Sequence, residues 1–95
     1  MSDTEQKPRS KVIQLTRSVK FADKTYDHLE LTAPTVSQME AANREANPVS
    51  SNVILVANNA KIPPGAVREL DWDDMEAAVE FLQGFTKSGH QTGAS

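Results

Sequence analysis

Leu29-Glu30-Leu31-Thr32-Ala33-Pro34-Thr35-Val36-Ser37-Gln38-Met39 reads as the end of a strand, a stop, and the start of a helix. Leu29 and Leu31 alternate with polar neighbours, the pattern of a half-buried strand. Pro34 has no amide proton with which to continue a ladder, and it drives Ala33 into an extended conformation. Thr35-Val36-Ser37-Gln38 then forms a capping box. The threonine hydroxyl can accept from the Gln38 amide, and the glutamine side chain can reach back to the Thr35 amide. The chain before this junction has β patterning and the chain after it has helical patterning. The fold class that follows is α+β: an N-terminal β-hairpin or three-stranded meander followed by three to four helices.

Upstream, Lys11 to Arg17 alternates, with Ile13 and Leu15 on one face, and Val19 and Phe21 extend that face. Ala22-Asp23-Lys24 forms the turn; it lacks glycine, which leaves its type open, and Asp23 can tolerate a left-handed conformation. Thr25 to Thr32 is the second strand. Two or three strands alone are marginal in water, so helices must cover their apolar face. Residues 1–10 are polar and aperiodic and read as a disordered arm.

Downstream, a first helix is expected from Val36 to about Ala46, ended by Asn47-Pro48. Val49 to Ala60 is ambiguous. Val53-Ile54-Leu55-Val56 suits a buried strand. Val49, Val53, Val56 and Ala60 also fall at helical spacing, Ser50 or Ser51 could cap a helix, and Asn58-Asn59 could end one. Short linkers on both sides favour the helix. Pro63-Pro64 suits the start of a short helix to about Leu70. Asp71 is placed to cap the clearest helix, Trp72 to about Lys87, with Trp72, Met75, Val79 and Leu82 as its stripe and Ala78, Phe81 and Phe85 widening it. Residues 11–87 therefore read as one domain and residues 88–95 as a flexible tail.

Composition narrows the function. There are 20 Leu, Ile, Val and Phe residues in 95, near the ~20% below which chains tend toward disorder. So small a core gains from a partner. Cysteine is absent, which removes disulfides and thiolate chemistry. The opening residues lack the apolar core of a signal peptide and no apolar run approaches the length of a membrane span, so a soluble, cytoplasmic protein is expected. Charge is uneven: residues 1–24 hold six Lys/Arg against three Asp/Glu, and residues 25–95 hold four against ten.

No catalytic, cofactor or metal site emerges. Asp71, Asp73, Asp74 and Glu76 lack the spacing of a calcium loop and read as charges at a helix start. His28 lies mid-strand near Asp27 and Glu30 without a nucleophile in the pattern, and the four glycines are isolated. A non-enzyme is expected. The alternative to a protein-binding role is a small nucleic-acid-binding or regulatory module. It would use the basic arm and hairpin through Lys7, Arg9, Lys11, Arg17, Lys20 and Lys24, with Tyr26 to stack. The acidic whole and the lack of a basic helix face weigh against it.

The run Ile13-Gln14-Leu15, Val19, Leu29-Glu30-Leu31, Pro34-Thr35, Ile62-Pro63-Pro64, Leu70-Asp71 and a final amphipathic helix resembles the tail assembly chaperones of contractile-tailed (myovirus) phages and prophages. It covers Val12 to Phe85. It departs from similar chains at Arg17-Ser18, where Lys-Pro is common, and in the turn, where glycine is common. The resemblance implies a non-structural protein of the host cytoplasm that binds the long, hydrophobic, helical tape measure protein and keeps it soluble while tail tube protein polymerises around it. It implies only an indirect link to the tube protein, homo-oligomers on the partner, and often a longer form made by ribosomal frameshifting. Helix-in-groove binding is the expected mode, with Val53, Val56, Met75, Val79, Leu82 and Phe85 as core or groove residues.

Overall fold

The structure is a computed structural model that describes residues 9–94. Residues 1–8 of the expected arm lie outside the described residues. Strand β1 (Ser10–Phe21) and strand β2 (Lys24–Thr32) pair antiparallel as a two-stranded hairpin. It is followed by helices α1 (Val36–Asn43), α2 (Pro48–Ala60), α3 (Pro64–Val67) and α4 (Trp72–Ala94). The expected α+β arrangement holds, in its hairpin form.

Alternation decides which face of the hairpin is covered. Ile13, Val19, Leu29 and Leu31 are buried, while Val12 and Gln14 face outward. The pairing runs regularly from Ser10 opposite Thr32 to Gln14 opposite His28 and resumes at Val19 opposite Tyr26. Between these, Leu15 to Ser18 of β1 stand against Asp27 of β2, an enlarged bulge that leaves ladder groups of β1 without strand partners.

The hairpin closes through Ala22 and Asp23, and Ala22 takes the positive φ, 52°. The left-handed residue is thus Ala22, not Asp23, because a tight two-residue loop needs that conformation at its first position to match the strand twist. A Cβ in the left-handed region costs about 1–2 kcal/mol. Part of this gain would be offset by the greater unfolded-state freedom of glycine. Ala22→Gly should therefore stabilise the chain by about 0.5 kcal/mol in urea unfolding. A loss of stability would show that the turn takes another form.

Helix α1 begins on the capping box read from sequence. Thr35 accepts from the Gln38 amide and the Gln38 side chain accepts from the Thr35 amide, both at 3.2 Å. It ends at Asn43, three residues before the expected Ala46. The last amides tighten onto carbonyls three residues back, Arg44 to Ala41 and Glu45 to Ala42. The chain needs that room because Asn47, preceding Pro48, must be extended, with ψ 130°.

That extended Asn47 is also the cap of α2. Its side chain accepts from the amides of Val49 and Ser50, and Pro48 occupies the first turn. The cap therefore precedes Ser50 and Ser51. The ambiguous segment is a helix that places Val53, Leu55, Val56 and Ala57 in the core. It stops at Lys61, which adopts the left-handed conformation while the Ile62 amide bonds back to Ala57. Asn58-Asn59 does not end it.

Helix α3 is a single turn, shorter than expected, and the chain continues through turns to Leu70. Gly65 sits under the Phe21 ring so closely that a Cβ would overlap it. The Pro63-Pro64-Gly65 run thus seats the hairpin tip. Helix α4 continues to Ala94 rather than ending near Lys87. Its sequence has no proline, and its glycines each cost only about 1 kcal/mol in a helix. Leu29, Leu31, Val56 and Leu82 are the largest fully buried side chains, so the core lies between the hairpin's inner face, α2 and α4.

Candidate functional site

Two polar contacts set the helices on the hairpin. The first belongs to Asn59, 2% exposed on the inner face of α2. Its side-chain oxygen accepts from the Thr32 amide at 2.8 Å, and its Nδ2 donates to the Thr32 carbonyl and to Gln38 Oε1, each at 2.9 Å. Asn59 thus takes the place of a neighbouring strand at the end of β2 and joins α2 to the capping box of α1. The second contact fills the bulge. The buried Asp74 carboxylate accepts from the Thr16 amide at 2.8 Å and from the Thr16 hydroxyl at 2.9 Å. One turn earlier, Arg17 pairs with Asp71.

The acidic cluster therefore has separate jobs. Asp71 and Asp74 clasp the irregular part of β1, whereas Asp73 and Glu76 remain exposed. All four still lie where negative charge meets the positive end of the α4 dipole. Among the described residues no group of three or more His, Asp or Glu side chains is placed to hold a metal ion.

With α2 and α4 held this way, a groove of about 680 Å³ opens between them. Val49 and Asn52 line it from α2. From α4 come Trp72, Met75 and Val79 on its apolar side and Glu76, Glu80 and Gln83 on its polar side. A smaller space of about 260 Å³ beside Met39 and Leu55 shares Asn52 and Gln83 with it and carries the depression toward α1. Trp72 is 58% and Val49 50% exposed at this groove, while Val12 at 56% and Val36 at 77% are exposed elsewhere on the surface.

The residues expected to form core or groove are now separable. Val53, Val56 and Leu82 are core. Met75 and Val79 reach both, packing on the core and lining the groove. Phe85 meets Phe81 edge to face, with ring centroids 5.1 Å apart, and the Arg9 guanidinium lies 5.8 Å from its ring centre. Phe81 packs against the core, and Phe85 does not line the groove. Sequence reasoning missed Val49, Asn52, Trp72, Glu76, Glu80, Gln83 and Gly84 as groove residues. Their signal was present as the face of α4 next to the apolar stripe, but the path of α2 across it was not.

His28 is bracketed by carboxylates. Its Nδ1 lies 2.7 Å from Asp27 Oδ1 and its Nε2 3.1 Å from Glu30 Oε2. The hydrogen bond to Asp27, and then that to Glu30, raises the imidazole pKa above 6.5. The same contact with His28 lowers Asp27 below 3.8. Any stabilisation by the charged histidine is complete below pH 6.5 and fades as pH rises through its folded value. The Asp27 contribution is present above pH 3.8 and fades as pH falls through its own lowered value. NMR titration should show His28 above 6.5, returning toward it in Asp27→Asn. An unchanged titration in that variant would refute the contact.

Residues 12–87, which take in all of the hairpin but its first two residues and every groove-lining residue, match the family model for phage tail assembly chaperone proteins, E, or 41 or 14. The chain belongs to the phage tail assembly chaperone family. No curated protein and no solved structure matches it. A tail assembly chaperone acts on a protein partner in tail assembly. No helix among the described residues is long and apolar enough to cross a membrane. Two cations of the nucleic-acid reading already have partners within the fold, Arg17 of β1 on Asp71 and Arg9, just before β1, over Phe85.

Proposed function

We propose that this chaperone binds the hydrophobic, helical tape measure protein of a contractile-tailed phage or prophage and keeps it soluble in the host cytoplasm while the tail tube assembles. The observation that carries this reading is the groove between α2 and α4, with Trp72 and Val49 exposed at its mouth and Met75 and Val79 inside. A tape measure helix would lay its apolar stripe along Trp72, Met75 and Val79, exchanging two wet apolar surfaces for one dry contact. Modest affinity per copy suits eventual displacement by tube protein, and several chaperones along one tape measure supply the total through avidity. The link to tube protein is indirect in this scheme. A frameshifted longer form belongs to the same proposal and is tested by a slippery site and overlapping frame in the gene.

Co-expression tests the proposal. Wild-type chaperone should keep the tape measure protein in the soluble fraction. Val79→Asp sets an unpaired charge against the partner's stripe, at a cost of about 2 kcal/mol or more, which weakens binding more than about tenfold. Trp72→Ala should weaken it with less disturbance of the fold. Val12→Asp, on the outer face of the hairpin, should leave it unchanged. Folded Val79→Asp and Trp72→Ala proteins that solubilise the partner as well as wild type would overturn the proposal.

A further inference from the structure

The groove is asymmetric in charge. One side is apolar, and among the described residues the only charged ones that line it are Glu76 and Glu80. Both are exposed, and among the described residues neither takes part in an ion pair. They stand four apart, so their carboxylates rise from neighbouring turns of one face of α4. Asp73, also exposed, lies three residues before Glu76 and extends the row by about 4.5 Å along the axis. Asn52 and Gln83 complete the polar lining with neutral amides.

We infer that the segment occupying this groove is an amphipathic helix bearing two Lys or Arg residues about one turn apart beside its apolar stripe, set against Glu76 and Glu80. The inference rests on the tape measure reading and narrows it to a class of segment. A helix with acidic residues along that border would bring like charges together as the groove excludes water, which costs binding and disfavours the wrong register. A basic border gains attraction and selects both orientation and position along a long helical partner. Lysine and arginine also keep their long stems on apolar surface while their heads reach the rim.

Overlapping synthetic segments of the tape measure protein encoded with this chain provide the test. Each is titrated against wild type, Glu76→Gln/Glu80→Gln, and Val79→Asp, at low salt and near 1 M salt. Because Glu76 and Glu80 are exposed, the double variant should fold as wild type does, which circular dichroism checks. Segments that bind should carry Lys or Arg at i and i+3 or i+4 beside the stripe. Two partly exposed ion pairs correspond to about fivefold weaker binding to the double glutamine variant at low salt. That difference should vanish at about 1 M salt, where the screening length falls to about 3 Å. If segments bind both proteins equally while Val79→Asp still abolishes binding, the charge inference is overturned and the groove reading stands. If no segment binds in a way that responds to Val79→Asp, the groove reading falls and the inference falls with it.

Discussion

Asn59→Ala should cost about 3 kcal/mol of folding stability, measured by urea or thermal unfolding. The substitution removes one side chain but takes a partner from three groups. The Thr32 amide and carbonyl lose the partners that stand in for an adjacent strand, and Gln38 Oε1 loses one of its two donors. A polar group left without a partner costs about 1–3 kcal/mol when buried, and because Thr32 is itself exposed water can recover part of that loss. For a domain whose total is about 5–15 kcal/mol, this is a large fraction. Asn59→Asp is the informative companion. It keeps the acceptor for the Thr32 amide but replaces the amide donor with a negative oxygen facing two acceptors. It should be about as destabilising at neutral pH and should recover in part in acid, where a protonated carboxyl can donate. A cost below about 1 kcal/mol for the alanine variant would mean that water replaces the side chain and that the junction does not depend on it.

Asp74→Ala should cost about 2 kcal/mol. The carboxylate satisfies the Thr16 amide inside the bulge of β1 and takes the Thr16 hydroxyl as well. Hydrogen bonds to a charged acceptor contribute more than neutral ones, but Thr16 is itself exposed, so water can recover part of the loss. A double-mutant cycle with Thr16→Val isolates the hydroxyl share, expected near 1 kcal/mol. A coupling of zero would show that Asp74 acts at the helix start alone, as a charge near the α4 dipole. The neighbouring Arg17–Asp71 pair is more exposed and should contribute well under 1 kcal/mol.

The sequence carried those parts of the fold whose causes are local. The capping box at Thr35 and Gln38, the break at Pro34, the alternation of Leu29 and Leu31 and the stripe of α4 each act within a few residues, and each is seen. Asn47 shows the limit of local reading. It ends one helix and caps the next, because the extended backbone imposed by Pro48 serves both. Ala22 shows another. The turn needed a left-handed residue, and the residue with the better propensity for it, Asp23, stood one place too late. The two polar clasps were not legible, since they join residues 27 and 58 positions apart. Asn59 looked like a helix stop and Asp74 like a dipole charge until β2 and the β1 bulge were placed beside them. The groove was half legible for the same reason. Met75 and Val79 lie on the α4 stripe, whereas Val49 and Asn52 join them only through the crossing of α2.

Trp72 provides the most direct test of the central claim, that the tape measure protein docks between α2 and α4. It is the only tryptophan in the chain, and it stands 58% exposed at the mouth of the groove. Its indole fluorescence is therefore a reporter of that one site. On titration with a tryptophan-free segment of the tape measure protein, the emission should shift to the blue as the ring leaves water. The shift should saturate with the same midpoint as binding followed by calorimetry and should be lost in Val79→Asp. Saturable binding by calorimetry with the Trp72 emission unmoved would place the partner elsewhere on the chaperone and contradict the account.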